Sequence, residues 1–178
     1  MPLPNVVVTD FTKAPEQIIT DLINFDNGTT LDPATLLFSD VTASSGTRNT
    51  SVLVSANNTS LYAGSVTLFY NRIDLATIPG IRDVNFEIGS RTKMSEIIPD
   101  INARFGINLT PADYKEEILP LFSGNNPLEK KYFDVDALPG SLIFIGELGL
   151  TITRGPLLLS TIILNRVLNG LTYIQPAP

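Results

Sequence analysis

The chain contains no cysteine, no histidine and no tryptophan. Without cysteine it has no disulfide and no thiolate nucleophile, and without histidine it has no imidazole general base. Zinc, copper and most iron sites take their ligands from these two residue types. These absences exclude a Ser-His-Asp triad and leave carboxylates as the main groups with which the chain could do chemistry.

Charged residues are also scarce: they make up 17% of the 178 residues, against roughly 25% in a typical globular protein. Apolar residues make up 43%. A chain with so few charges has either an unusually large core or apolar surface that a partner covers, and we favour the second. The net charge is −6 and the densest basic clusters are pairs, such as Lys130 with Lys131, which disfavours binding to a nucleic-acid backbone. No segment approaches the roughly 20 apolar residues of a membrane-spanning helix. We predict neither a nucleic-acid nor a membrane partner.

The first half of the chain predicts one helix followed by strands. Pro15 and Glu16 suit a helix start, apolar residues recur at helical spacing from Ile18 to Ile23, and Asn27-Gly28 suits a helix end. Ser, Thr and Val then dominate, with turn residues between β-prone runs. The runs at residues 36–41, 50–55 and 65–72 predict an antiparallel meander.

The second half predicts shorter elements: a strand at 84–88, a helix over 94–105 that Pro99 kinks or splits, and a helix stop at Gly106. The sequence Thr-Pro-Ala-Asp at 110–113 is typical of a helix start and predicts a short helix ending before Pro120. We expect a long surface connection over 124–140 and strands at 141–145 and 148–154. Residues 157–168 fit either a buried strand or a short helix.

These elements predict an α+β fold. We expect a twisted antiparallel sheet or small sandwich of about six to eight strands, with two or three short helices on one side. Residues 1–12 are predicted to form an N-terminal arm, residues 13–174 a single α+β domain, and residues 175–178 a flexible tail.

The best candidates for chemistry are Asp134 and Asp136, which lie on the same side of an extended segment. Paired carboxylates serve glycosidases, and they also bind calcium or magnesium. Counted from Asp134, however, Pro139 and Ile145 stand where a calcium loop needs Gly and Glu. We interpret the acids as solvated surface charge and predict no catalytic residue, no metal site and no cofactor.

Six aromatic residues could instead stack on a sugar or a receptor. With most of them inside strand or helix patterns, we interpret them as core: Tyr62, Phe69, Tyr114, Tyr132, Phe133 and Tyr173.

Two stretches together resemble a known domain family. They are GSVTLFYNRIDL at residues 64–75 and IIPDINARFGINLTPAD at residues 97–113. The pair resembles an uncharacterised domain that recurs in virion structural proteins of large tailed bacteriophages, with the similarity running from about residue 15 to residue 114. The resemblance brings no catalytic residues. It implies a structural role in a virion, made in the bacterial host cytoplasm, as a component of the capsid decoration, collar, tail or baseplate.

Composition agrees with an assembly subunit whose copies cover one another's apolar surface. We therefore expect other virion proteins as partners and a homo-oligomer. The expected interface residues are Val6, Val7 and Val8, which could add to a neighbour's sheet edge, with Tyr173 and Ile174 near the other end. The alternatives are a receptor- or glycan-binding adhesion domain and a carboxylate-dependent hydrolase.

Overall fold

The first helix lies where the sequence predicts it. The computed structural model describes residues 9–57, 61–78, 85–122, 126 and 129–155. Helix α1 spans Pro15–Asn27, with Glu16 in its first turn near the positive end of the helix dipole. Gly28 ends it at a φ of 64°, a left-handed conformation that glycine adopts without steric strain. Ile18 and Ile19 are buried, which confirms the predicted apolar stripe.

The predicted meander is also confirmed. Strands β1 (Leu36–Ala43), β2 (Thr50–Ala56) and β3 (Ser65–Tyr70) form an antiparallel sheet in the order β1-β2-β3. In β1 the register shifts between Ser39 and Thr42, and Asp40 between them has a positive φ of 52°. Such a bulge bends the strand and interrupts its ladder.

Two further sheets complete the described part of the chain. Their strands are β4 (Ile73–Asp74), β5 (Asn85–Glu87), β6 (Lys130–Asp136), β7 (Phe144–Ile145) and β8 (Glu147–Thr153). The larger sheet has the order β5-β8-β6, with β8 antiparallel to β6 and parallel to β5. Strands β4 and β7 form a short parallel pair.

Pro99 splits the second helical segment, as predicted. A 3-10 turn at Met94–Glu96 precedes helix α2, which spans Ile98–Phe105 and carries Pro99 in its first turn. Proline is tolerated there because the first amides of a helix have no intrahelical acceptor. Gly106 ends the helix at a φ of 63°.

The short helix predicted after residues 110–113 is wrong. The Asp113 carboxylate accepts hydrogen bonds from the amide and hydroxyl of Thr110, at 3.0 and 2.7 Å, so the start signals close a single turn. The chain then extends, because Tyr114 pairs with Ala137 and both Tyr114 and Leu119 are buried. Burial of these two side chains outweighs the local helix signal.

The surface connection predicted over residues 124–140 is wrong for Lys130–Asp136, which form β6. Phe133 and Val135 alternate with exposed residues and are buried in the apolar core, and β6 pairs with β8. Strands at 141–145 and 148–154 were predicted, and the structure has them at Phe144–Ile145 and Glu147–Thr153.

One apolar core lies among α1, α2 and the sheet β5-β8-β6. Each fully buried Leu, Ile or Phe stabilises the fold by about 1.5–3 kcal/mol. The largest fully buried side chains are Phe144, Leu75, Met94, Ile97, Ile101, Leu119, Leu148, Leu150 and Ile152, with Val52 and Val135.

The predicted α+β class is confirmed, with eight strands and two α-helices in the described residues. The structure adds two parallel pairings that the sequence pattern did not indicate. The predicted arm, the tail and the segment 157–168 lie outside the described residues, except for residues 9–12 of the arm.

Candidate functional site

The acids singled out from the sequence lie on the surface of β6. Asp134 and Asp136 stand opposite Gly149 and Glu147 of β8, and both are exposed. No group of three or more Asp or Glu side chains with metal-binding geometry occurs among the described residues. The structure places this pair on an open sheet face and in no described cavity.

A buried polar cluster surrounds Arg72, just after β3. The residue is 9% exposed. Nε donates to the Thr50 hydroxyl at 2.8 Å, and one terminal nitrogen donates to the carbonyls of Pro139 and Ser141 at 2.8 and 3.0 Å. Among the ion pairs of the described residues, none involves this guanidinium. Arg72 thus joins the meander to the segment before β7 through neutral oxygens.

Tyr70 makes a second link across the same junction. Its phenol donates to the Leu142 carbonyl at 2.6 Å. Burial raises the pKa of Tyr70 to about 12, and burial likewise lowers the pKa of the neighbouring Arg72. Both shifts follow from removing the charged form of each group from water.

Asp113 and Ser141 form a buried pair nearby. The Ser141 hydroxyl donates to Asp113 Oδ1 at 2.6 Å and accepts from the Phe144 amide at 3.1 Å. The other Asp113 oxygen accepts from Thr110. The Ser141 hydroxyl therefore donates one hydrogen bond and accepts another within the fold. The Asp113 carboxylate orients this hydroxyl toward the Phe144 amide.

A cavity of about 340 Å³ lies beside this pair, between the start of α1, β1 and residues 140–142. Glu16, Thr110, Asp113 and Ser141 are its polar walls. The Ser141 hydroxyl bonds both the Asp113 carboxylate and the Phe144 amide, so this pair ties residues 110–113 to the segment before β7.

The outward side of the meander is a different kind of surface. Opposite residues of an antiparallel sheet share a face, so the strand register groups nine outward side chains, which we call the outer face. Its members are Leu37, Ser39, Thr42, Ser51, Leu53, Ser55, Ser65, Thr67 and Phe69. None carries a charge, and Leu37 and Phe69 are 54% and 60% exposed.

The opposite side of the meander, which we call the inner face, faces the core but is not fully covered. An apolar groove of about 260 Å³ runs between the end of α1 and the β2–β3 hairpin, with Ile23, Val54, Tyr62 and Leu68 among its walls. Val66, on the edge strand β3, also lines the groove and is 56% exposed. Apolar surface thus lies on both sides of β3.

The structure corrects part of the interpretation of the aromatic residues as core. Tyr114 and Phe133 are buried, as predicted, whereas Tyr62, Phe69 and Tyr132 are exposed. Tyr62 lines the inner-face groove, Phe69 lies on the outer face, and Tyr132 lies on β6 in another sheet. These three do not form one stacking surface.

Sequence reasoning missed the outer face and the Arg72 junction. The sequence signal for the first was present: across β1, β2 and β3, Asp40 is the single charged residue. The predicted interface residues Val6, Val7, Val8, Tyr173 and Ile174 lie outside the described part of the chain.

Within the described residues, no helix has the length and apolar character to span a membrane.

Comparisons with known proteins give one match. No curated protein and no solved structure matches the chain. A family model described as a family of unknown function (DUF7941) matches residues 9–177, which is nearly the whole sequence. The chain belongs to this family of unknown function, DUF7941.

Proposed function

We propose that the protein is a structural subunit of a tailed-phage virion that acts through protein–protein contacts. The observation that carries the proposal is the outer face, a sheet surface of nine side chains without a charge. Solvent-facing sheet surfaces usually carry charged side chains that oppose edge-to-edge pairing and association. A surface without charges suits burial against another protein.

The buried polar groups also support the proposal of a structural subunit. Arg72 and Tyr70 bond the meander to residues 139–142, and Ser141 of that segment bonds Asp113 in turn. A rigid junction of this kind suits a subunit that must present one surface in a fixed geometry. The virion setting rests on the resemblance of residues 64–75 and 97–113 to a phage virion domain.

The alternatives have less support from the described residues. A glycosidase needs two acids about 5–10 Å apart in a cleft, whereas Asp134 and Asp136 lie on an open strand surface. An adhesion domain needs aromatic residues gathered on one surface, whereas Tyr62 and Phe69 lie on opposite faces of the meander.

The test is genetic. The proposal requires that a tailed phage encodes this chain. A nonsense codon early in its reading frame should give particles that lack a component or stall in assembly. Electron microscopy of lysates from suppressing and non-suppressing hosts shows the difference. Particles of normal appearance and infectivity from the non-suppressing host would rule out a required structural role.

A further inference from the structure

The edge strand β3 is the least protected strand edge in the described part of the chain. Its sequence, Ser65–Tyr70, contains no charge, no proline and no bulge. The other long edge strands differ: β1 has the bulge at Asp40, and β6 carries two lysines and two aspartates. Proteins blunt exposed strand edges with such charges and bulges because a bare edge pairs with other strands.

The hydrogen-bond pattern shows which groups of β3 face outward. The Ala56 amide donates to the Gly64 carbonyl at 2.9 Å, so residue 64 directs its backbone groups toward β2. Alternate residues of an antiparallel strand share this direction. The backbone amides and carbonyls of Val66, Leu68 and Tyr70 therefore also bond β2. The amides and carbonyls of Ser65, Thr67 and Phe69 therefore point to the open edge.

We propose that β3 pairs antiparallel with β3 of a second copy of this chain, about a two-fold axis centred on Thr67. This register places Ser65 opposite Phe69 and Thr67 opposite Thr67, so that all three outward residues of each copy bond the other. The result is a continuous six-stranded sheet. The inference deepens the proposed assembly role by naming an interface and its partner.

Local charge does not oppose a second copy as the occupant. Each chain has a net charge of −6, which makes two copies repel at long range. Strand β3 and the outer face beside it carry no charged side chain that would add repulsion at the contact.

The side chains of β3 are also self-complementary in this register. On the inner face, Val66 stands opposite Leu68 of the partner subunit, so the second strand covers the exposed part of Val66 at the end of the inner-face groove. On the outer face, Phe69 lies over the serine of the other strand. Such an isologous contact uses the same patch twice, as two-fold dimers do.

The experiment uses charge pairs at position 67, where the axis places two identical side chains directly opposite each other. Like charges directly opposite on a sheet repel, and opposite charges attract. Sedimentation equilibrium of the full chain should show a dimer. Thr67→Lys and Thr67→Glu should each raise the dimer dissociation constant at least tenfold, and an equimolar mixture of the two should restore dimers.

Ser39→Lys is the matched control, because Ser39 lies in the same row of the outer face at the other edge of the sheet. It should leave the dimer unchanged, and circular dichroism should show that all variants are folded. A monomeric wild-type chain would overturn the proposal, as would a mixture no more dimeric than its components. A chain that is monomeric in solution but present in particles contradicts only the pairing, whereas a dimer absent from particles contradicts only the virion role.

Discussion

Replacing Arg72 with methionine keeps an unbranched apolar stem but removes the three hydrogen bonds to Thr50, Pro139 and Ser141. The bond to the Ser141 carbonyl is buried, whereas the Pro139 carbonyl is partly open to water. The Thr50 hydroxyl keeps its bond to Asn49. The substitution therefore leaves one buried acceptor, the Ser141 carbonyl, without its arginine donor.

The magnitude follows from these differences. A buried acceptor that loses its donor costs about 1–3 kcal/mol, and each of the other two bonds contributes about 0.5–1.5 kcal/mol. Methionine avoids the desolvation of a guanidinium that has no described carboxylate partner, which offsets part of the loss. We expect Arg72→Met to lower the free energy of unfolding by about 3 kcal/mol.

The assay is equilibrium unfolding in urea, followed by circular dichroism. Arg48→Met is the matched control, since Arg48 is an exposed arginine just before β2, and surface substitutions usually change stability by less than about 0.5 kcal/mol. If Arg72→Met were no more destabilising than Arg48→Met, Arg72 would not hold the junction together, and the reasoning would be refuted.

Two further substitutions test the fold. Gly146→Ala should destabilise the protein by roughly 3 kcal/mol. Gly146 has a φ of 76°, and an added Cβ would lie 2.3 Å from the Asp74 carboxylate. The control in the same urea assay is Gly140→Ala, because a Cβ added at Gly140 meets nothing within 4 Å. Because the pKa of Tyr70 is raised to about 12, this phenol keeps its proton in the folded protein at a pH near 10, where it loses the proton in the unfolded chain. Stability should therefore be fully present below pH 10 and fall as the pH rises toward 12. Tyr70→Phe should lower the free energy of unfolding by about 1 kcal/mol at neutral pH. Between pH 10 and 12 its free energy of unfolding should fall less than that of wild type or of the control Tyr132→Phe. Equal falls in all three proteins would contradict the assignment to Tyr70.

The elements that sequence predicted well are those with local signals. Helix α1 has a proline start, an apolar stripe and a glycine end within residues 15–28. The meander strands are neighbours in sequence, separated by turn residues. Pairing between such neighbours needs no information from distant parts of the chain.

The elements that sequence missed depend on distant partners. Strand β6 shows a period-two pattern, with Phe133 and Val135 buried, but turn-forming residues on both sides of it favoured a loop. The parallel pairs join segments more than 60 residues apart through only two or three residues each. The short runs carry no periodicity that a local window can detect.

The candidate surfaces were only partly predictable. The low charge led us to expect apolar surface that a partner covers, but composition alone does not say where such a surface lies. The uncharged outer face that we propose for this role is seen only from the register, which sets Leu37, Thr67 and Phe69 on one face. The Arg72 junction could not be predicted, because its acceptors at Pro139 and Ser141 lie 67 and 69 residues away along the chain.

The number of copies of this chain in each purified particle tests the central claim most directly. Quantitative mass spectrometry of particles washed in high salt, with a known capsid protein as the internal standard, measures it. The account predicts a fixed, reproducible copy number that survives the wash. A chain that stays in the particle-free fraction of the lysate, or is lost on washing, would contradict it.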